Sequence, residues 1–449
     1  MSKDLTNGGV LKNLLQFSLP FLLSYFLQAL YGLADLFIVG QFHGADAIAA
    51  VSVGSQVMHM VTAVVVGLSM GSAVLLGRAV GAQDTRSLSR TTGSTIFLFL
   101  CVAATLTPLL PLFCPHIVSA MKVPPESSAQ TRSYLLVCFA GFPFIVAYNV
   151  IAAVFRGTGD SKSPLAFIAF SCALNIALDY LLVGAAQLDA TGAAAATVIA
   201  QLSSVVISLG ATRAKKLVAL SPSDLRPDLS VIKGIAKIGV PVAAQDGFIQ
   251  VSFLLITAIA NERGVVTAAA VGIVEKTIGF LFLVPSSMLS SVSAVAAQNI
   301  GAGKQENASK ALFCGAAVAF GIGLLVALSL QLAAEPLLSL FTDDTEVLHL
   351  GAGYIRSYVF DCAFGGIQFS FSGFFCACGK SMYAFAHNVV SIIAVRIPGA
   401  YAAVRLFPDT LFPLGLAATL GSLLSSLICV FFYLRVRRSM MPGRRANGA

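Results

Sequence analysis

The chain has 449 residues, of which 57% are hydrophobic and 11% are charged, and its mean hydropathy is +0.87. A soluble domain carries roughly a quarter charged residues, so this composition excludes the soluble, disordered and collagen-like classes. Outer-membrane barrels alternate apolar and polar residues in segments of about ten, and this chain does not. The composition therefore predicts an all-α polytopic membrane protein.

Twelve runs of the sequence are long and apolar enough to cross a bilayer. A spanning helix needs about 20 predominantly apolar residues, and each boundary is expected to be good to about four residues. The predicted spans are 14–39, 47–76, 91–113, 133–155, 164–184, 192–211, 236–260, 267–297, 308–333, 351–377, 382–405 and 411–434.

The basic residues are distributed unequally between the two sides of the predicted membrane. Of the 28 Lys and Arg residues, 21 lie on the side of the termini and the even-numbered loops, and five lie on the other side. Two, Lys276 and Arg396, fall inside spans. Basic residues are enriched in cytoplasmic loops, so we predict cytoplasmic termini. The net charge of +8 then requires no nucleic acid, and the basic loops favour contact with anionic lipid headgroups.

The sequence repeats itself at an offset of 220 residues. The polar segment around Pro222 divides the chain into an N-terminal six-helix lobe (1–212), a cytoplasmic linker (213–235) and a C-terminal six-helix lobe (236–449). Residues that match across the offset include Gly44, Ala49, Ala50 and Val51 with Gly264, Ala269, Ala270 and Val271, and Phe155, Gly159 and Ser161 with Phe375, Gly379 and Ser381. Six spans per half predict two parallel repeats, an arrangement that builds transporters with a site between two lobes.

Four polar residues of the first lobe form the leading candidate site. Asp35 lies in the first span without a basic residue nearby, and Asn175 and Asp179 are four residues apart on one face of the fifth span. Thr197 adds a hydroxyl group from the sixth span. A dry site favours the protonated carboxyl group, and hard oxygen ligands also suit Na⁺. The alternative is a hydrogen-bonded clamp between helices.

The second lobe does not duplicate this chemistry, because Leu255 and Gly399 stand at the positions equivalent to Asp35 and Asp179. Its own candidates for a cavity are Asp246, Gln250, Glu275, Lys276, Asp361 and Gln368. Glu275 and Lys276 are about 100° apart around one helix, so they cannot stack on each other. We expect each to find an ionic partner on another helix, or else to face a cavity.

No catalytic or nucleotide-binding motif is present, which predicts a protein that is not an enzyme and needs no cofactor. The spacing of Gly67 and Gly71 predicts close packing of helices.

Several of these segments together resemble the multidrug and toxic compound extrusion (MATE) family, in its bacterial DinF-like branch. They are LYGLADLFIVG with GADAIAAVSVG in the first two spans, Gly81-Ala-Gln, FRGTGD from Phe155 to Asp160, and the Asn175–Asp179 pair. The resemblance covers nearly the whole chain, and the order and spacing of the segments are more specific than any one of them.

The resemblance implies a V-shaped, two-lobe, monomeric secondary exporter in the bacterial inner membrane. It would antiport cationic amphipathic drugs against H⁺ or Na⁺, with the coupling ion at Asp35, Asn175, Asp179 and Thr197. Another branch of the family places acidic ligands on the seventh, eighth and tenth helices, where Asp246, Glu275 and Asp361 lie here. A flippase for lipid-linked oligosaccharides or another lipid is an alternative from the same superfamily. It would need several basic residues in the cavity, and only two lie within spans. A non-transporting receptor would leave the repeat unexplained.

Overall fold

The computed structural model describes residues 4–215, 217, 221 and 224–440, which form sixteen α-helices and two short π-helical segments. No strand occurs in these ranges. Pro222 of the predicted linker lies outside them, as do four residues counted on the cytoplasmic side: Lys3, Lys216, Arg444 and Arg445.

The chain forms two compact units, of which the first comprises Leu19–Ala243. Its helices come from the N-terminal half of the sequence. They are α1 (Val10–Phe42, which begins outside this unit), α2 (Ala45–Gly81), α3 (Thr85–Ala120), α4 (Pro125–Ala140), α5 (Phe142–Gly157), α6 (Lys162–Asp179), π1 (Tyr180–Ala185) and α7 (Asp189–Lys215).

The second unit comprises Leu5–Ser18 and the chain from Ala244 onward. Its helices are α8 (Leu229–Asn261), which begins in the first unit, α9 (Val265–Leu281), α10 (Leu283–Gly301), α11 (Gln305–Leu338), α12 (Thr345–Tyr358), α13 (Phe360–Ala377), α14 (Ser381–Ser391), π2 (Ile392–Arg396), α15 (Ile397–Leu406) and α16 (Phe412–Met440). The predicted lobe boundaries, with a linker at 213–235, stay a prediction.

The predicted number of spans agrees with the structure. Eleven of its helical stretches are long and apolar enough to cross a membrane, and there are twelve when the bent pair α4 and α5 counts as one. These two helices meet at 47°, where Gly141 is followed by Phe142 and Pro143. Proline has no amide hydrogen to continue the helical ladder, which favours a break here. The all-α polytopic fold class is thus confirmed.

Each unit contains a hydrophobic core, and core residues of the two units correspond at the predicted offset of 220 residues. In the first unit the buried residues Val51, Leu135 and Phe139 belong to one hydrophobic cluster. In the second, the equivalent residues Val271, Ile355 and Val359 belong to another. Because equivalent positions are buried in equivalent places, the sequence repeat is also a structural repeat.

The predicted close helix packing at Gly67 and Gly71 is observed. A Cβ atom on Gly67 would lie 2.7 Å from the Cβ of Ala243 and 2.8 Å from the carbonyl oxygen of Gly239, and one on Gly71 would meet the carbonyl oxygen of Ile235. Small residues let helix backbones approach this closely. The two glycines therefore seat α2 against the first part of α8 within the first unit.

Candidate functional site

Three helices of the first unit bring the four predicted coupling residues together. Asp35 from α1 is 3% exposed, and Asn175 and Asp179 from α6 are fully buried. The Asp35 carboxylate interacts with the side chains of Asp179, Asn175 and Thr197, the last from α7. Residues that are 144 positions apart in the chain thus share one buried polar cluster, which we call the first-unit cluster (Asp35, Asn175, Asp179 and Thr197).

Among the described residues, several polar atoms of the first-unit cluster have no hydrogen-bond partner at normal geometry, although their side chains lie next to one another. Within the described ranges, no partner of normal hydrogen-bond geometry is present for Asp35 Oδ1, either Asp179 oxygen, the Asn175 amide or the Thr197 hydroxyl. Each unsatisfied buried polar group costs about 1–3 kcal/mol. A clamp stabilises helices by satisfying such groups, so these unpaired atoms favour an ion-binding role.

No basic side chain neutralises the two carboxylates of this cluster. Among the described residues, neither Asp35 nor Asp179 has a Lys, Arg or His nitrogen within 4.0 Å. Two adjacent buried carboxylates cannot both stay ionised without a compensating charge. The geometry therefore requires a proton or a small cation here.

The backbone changes from an α-helix to a π-helix at the first-unit cluster. Asp179 is the last residue of α6, and the π-helical segment π1 begins at the next residue. Single-turn π segments widen the helix and occur frequently at functional sites. Asn175 and Asp179 are one turn apart, so they project from one face of α6, as the sequence predicted.

In the second unit, the predicted residue Asp361 forms a buried ion pair with Arg396. Arg396 ends π2, and its Nη2 donates to Asp361 Oδ1 at 2.8 Å and Oδ2 at 3.1 Å. The same nitrogen donates to the Ser422 hydroxyl of α16 at 2.6 Å, which also accepts from Gln368 Nε2 at 2.7 Å. A Cβ atom on Gly421 would meet the Arg396 side chain, so this glycine leaves room for it.

The ionic partners predicted for Glu275 and Lys276 are not present among the described residues. Glu275 instead accepts a hydrogen bond from the Thr257 hydroxyl of α8 at 2.9 Å, while its Oε1 is buried without a partner. Lys276 is exposed on the surface of its unit. Glu275 thus has a partner on another helix, but it is a neutral hydroxyl where an ion pair was expected, and the alternative of a cavity role for Glu275 and Lys276 stays a prediction.

The six second-lobe candidates do not form one cluster. Asp246 and Gln250 lie half-buried on α8. Within the described ranges, no hydrogen bond or ion pair joins them to Glu275 or Asp361. Only Asp361 and Gln368 are connected, through Ser422.

A half-buried cation in the first unit was not foreseen. Arg156, counted from the sequence as a cytoplasmic loop residue, lies in the last turn of α5 and donates to the Ser69 hydroxyl of α2. Its Nε is buried without a hydrogen-bond partner. No carboxylate of the described residues lies within 4.0 Å of it, and it interacts electrostatically with Tyr25 and Tyr148.

Comparison with known families identifies the chain. The MatE family model matches residues 20–181 and again residues 241–402. The two matches begin 221 residues apart, close to the offset of 220 in the sequence, and together they span most of the chain. The chain belongs to the MATE family. As a member, it is a transporter rather than an enzyme.

Several curated MATE proteins are similar over nearly the full chain. The "probable multidrug resistance protein YpnP" of Bacillus subtilis is 26% identical, over 97% of both chains. The "FAD transporter" of Shewanella oneidensis is 27% identical over 94% of both. The "probable multidrug resistance protein NorM" of Thermotoga maritima is 24% identical, over 88% of this chain and 86% of its own.

Solved MATE structures have the same fold. An outward-facing multidrug resistance MATE transporter of the MOP superfamily superimposes with a TM-score of 0.91 at 20% identity, over 97% of this chain and 98% of its own. A MATE structure in complex with MaD3S gives a TM-score of 0.89 at 20% identity, over 97% of both chains. The fold of this MATE protein is therefore that of the family along its whole length, and the predicted DinF-like branch stays a prediction.

Reasoning from the sequence missed two polar groups beside the predicted residues. Tyr31, one turn before Asp35 on α1, interacts with Thr197 and Asp35. Its i, i+4 spacing from Asp35 was available as a signal. Arg396 was recognised as a basic residue within a span, and its isolation from other cations was the signal that it pairs with a buried acid.

Proposed function

We propose that this MATE protein exports cationic amphipathic compounds by alternating access, and that inward movement of H⁺ or Na⁺ through the first-unit cluster drives it. The observation that supports this is the pair of buried carboxylates, Asp35 and Asp179, whose unpaired oxygens lack a cation among the described residues. An ionisable residue inside a membrane marks function by default. The names of the similar multidrug resistance proteins agree with this substrate class.

Ion uptake would couple to export through the charge of the cluster. With no ion bound, Asp35 and Asp179 repel each other or attract a cationic drug. A bound proton or Na⁺ removes that negative charge, so the helices shift and the drug is released, or the ion displaces the drug directly. One charge that crosses the membrane potential supplies about 2.3 kcal/mol per 100 mV, which is enough to drive appreciable export.

The ion pair of Asp361 in the second unit argues against a coupling site at that residue. Its buried acid Asp361 already has the Arg396 guanidinium as a permanent counter-ion. A coupling ion would have to displace this charge, whose Nη2 donates to both oxygens of Asp361. Asp35 and Asp179 present no such obstacle.

The test of the coupling role is Asp35→Asn, which keeps the shape of the side chain and removes its charge. We expect cells that express this variant to lose drug resistance while the protein remains in the membrane at wild-type amounts. Glu306→Gln, on an exposed residue of the first turn of α11, is the matched control and should keep resistance. Normal efflux by Asp35→Asn would refute the coupling role.

The coupling ion would be assigned in proteoliposomes loaded with a fluorescent cationic dye. A pH gradient and a Na⁺ gradient are imposed in separate experiments. Transport that responds to one gradient and is abolished by Asp35→Asn identifies the ion. Transport that responds to neither gradient would contradict antiport.

A second candidate function is the transport of an anionic substrate. Arg156 favours it, because this half-buried side chain has no carboxylate partner within the described ranges, and one relative is named an FAD transporter. Proteoliposomes that take up FAD but not the dye, and lose FAD uptake with Arg156→Gln, would support this function over drug export. The lipid flippase is less well supported, since of the two basic residues within the spans predicted from the sequence Arg396 is held in an ion pair with Asp361 and Lys276 is exposed on the surface of its unit.

We further propose a location in the bacterial inner membrane as a monomer, with both termini in the cytoplasm and the basic loops against anionic lipids. The distribution of Lys and Arg between the two sides supports this orientation.

A further inference from the structure

A cavity of about 320 Å³ lies in the first unit between the end of α3 and the beginning of α4. This volume is at the lower end of the range for small-ligand pockets. The lining comprises two basic residues, two residues with hydroxyl groups and an apolar wall, namely Lys122 and Arg132, Ser119 and Ser128, and Pro115 with Val118 among others. The cavity thus combines two positive charges, hydrogen-bond donors and apolar surface.

The two cations of this cavity have no counter-charge. Among the described residues, no carboxylate lies within 4.0 Å of Lys122 or Arg132. Glu126, the acid nearest to them in the sequence, is exposed in the first turn of α4 and lies beyond this distance from both. Two cations in one cavity therefore create a local excess of positive charge.

The three other basic residues predicted on the extracellular side all have partners in the second unit. Arg263 donates to four backbone carbonyl oxygens. Arg356 pairs with Glu335, and Arg405 pairs with Glu262. The two cations of that side without a partner of this kind are thus the two that line one cavity. Since basic residues are depleted on the extracellular side, this pairing of free cations indicates an anion site.

The first turn of α4 adds to the attraction for an anion. α4 begins at Pro125, so Ser128 lies in this turn. The amide hydrogens and the dipole at the beginning of a helix favour negative charge. A guanidinium group, an ammonium group and serine hydroxyls together suit the oxygens of a phosphate group.

Exposed apolar side chains extend from this cavity along both helices. Leu112 and Pro115 share a face of α3, and Leu112 is 69% exposed. Leu136, one turn after Arg132 on α4, is also exposed. Because Lys122 lies two residues beyond the end of α3, a helix that can span a membrane, the cations lie at the level of lipid headgroups. Cations above an apolar surface match the headgroup and acyl chains of a phospholipid.

We propose that this cavity binds the phosphate group of an anionic phospholipid through Lys122 and Arg132, with an acyl chain along α3 and α4. The site is separate from the first-unit cluster, and its ligand is neither the coupling ion nor the exported compound. The assignment to the outer leaflet rests on the proposed orientation of the protein, whereas the binding itself does not. A bound lipid stabilises the folded first unit, because it binds the end of α3 and the beginning of α4 together.

Native mass spectrometry of the purified protein in detergent tests the binding. Dioleoylphosphatidylglycerol is the probe, and dioleoylphosphatidylcholine, which has the same chains and no net charge, is the reference. We expect tighter binding of the first lipid. Lys122→Asn and Arg132→Gln should each weaken it about fivefold, and the double variant about 25-fold. Lys122 has a backbone φ of 50°, which Asn tolerates well, so its substitution adds no backbone strain.

Arg405→Gln provides the matched control, because Arg405 is an exposed cation that is paired with Glu262 outside the cavity. This variant should bind phosphatidylglycerol as the wild type does. Unchanged binding in the double variant, or equal binding of the two lipids in the wild type, would overturn the proposal. Inorganic phosphate should displace the lipid only at far higher concentration, and displacement at equal concentration would indicate a free-anion site instead.

A phosphatidylglycerol with a photoreactive group in its acyl chain tests the position of the chain. We expect cross-links within residues 104–140 that are lost in the double variant, and cross-links confined to other segments would contradict this position. Transport separates the lipid site from the proposed function. If Asp35→Asn keeps full export while lipid binding still depends on Lys122 and Arg132, the proposed function fails and the lipid site stands. If export requires Asp35 and lipid binding is independent of both cations, the reverse holds.

Discussion

At the scale of single residues, Asp35 and Asp179 of the first unit and Asp361 of the second have opposite surroundings. Asp35 and Asp179 lie together with unpaired oxygens, whereas both oxygens of Asp361 accept from Nη2 of Arg396. Taking a charge out of water costs several kcal/mol, and a pair recovers this cost only with good geometry and further hydrogen bonds. Ser422 supplies such a bond in the second unit. The carboxylates of Asp35 and Asp179 have unpaired oxygens instead, which is why we propose ion binding there.

Substitutions of Asp361 and Arg396 should have strongly non-additive effects on the free energy of unfolding. We expect Arg396→Met to lower the free energy of unfolding by about 3–5 kcal/mol, because it leaves Asp361 buried without a counter-charge. This loss in the free energy of unfolding is measured by unfolding the purified protein in detergent micelles. The double variant Asp361→Asn with Arg396→Met should lose much less than the sum of the two single variants. Additive losses would mean that the two residues do not stabilise each other.

Asp160, in the loop before α6, should make the folding stability of the protein depend on pH. Burial raises the pKa of Asp160, but hydrogen bonds from Lys215 and Ser163 outweigh it and hold the pKa below its ordinary value. The carboxylate therefore contributes stability above its unfolded pKa of about 3.9, and this is lost as the pH falls through the folded value. We expect Asp160→Asn to lower stability by about 1 kcal/mol near neutral pH.

The measurement is the melting temperature of wild type and variant against pH. Their difference should be constant near neutral pH and shrink below about pH 4. Asp343→Asn, at an exposed residue, should match the wild type throughout. A difference that grows on acidification would contradict the sign of this argument.

At the scale of elements, local departures from ideal helices set the geometry of the sites. One π segment begins directly after Asp179, and the other ends on Arg396. A π turn rotates the residues that follow it relative to an ideal helix. The two halves place their π segments at positions that the offset of 220 does not relate. Similar sequences therefore carry different chemistry in the two units.

The close approach of α2 and α8 should tolerate no added methyl group. Gly67→Ala would place its Cβ 2.7 Å from both the Cβ and the backbone nitrogen of Ala243. We expect a loss of about 1–3 kcal/mol, since a backbone cannot move aside cheaply. Thermal unfolding in detergent is the measurement. Gly210→Ala on α7 is the matched control, because no atom lies within 4 Å of its Cβ position, and it should lose nothing.

At the scale of the whole molecule, the repeat supplies the scaffold and its asymmetry supplies the chemistry. The cores of both units use equivalent residues, such as Leu135 and Ile355. The polar residues do not repeat, because Leu255 and Gly399 replace the two coupling acids. A transporter with two similar units can thus confine its ion site to one of them.

The orientation of the whole molecule can be tested by cysteine labelling. In a variant that lacks the nine native cysteines, Lys122→Cys in the loop after α3 should react with a membrane-impermeant maleimide in intact cells. Arg86→Cys, at the beginning of α3, should react only after permeabilisation. Both positions are exposed. The opposite pattern would place the termini outside.

The sequence by itself determined the membrane class, the spans, the repeat and the membership of Asp35, Asn175, Asp179 and Thr197 in one candidate site. These follow from hydropathy, spacing and residue type, which are properties of short segments and fixed offsets. The tertiary structure alone decided that Glu275 contacts Thr257 and that Asp361 is neutralised by Arg396. Such partners lie on different elements, and their approach depends on helix rotation, bends and π turns, which spacing along one helix does not specify.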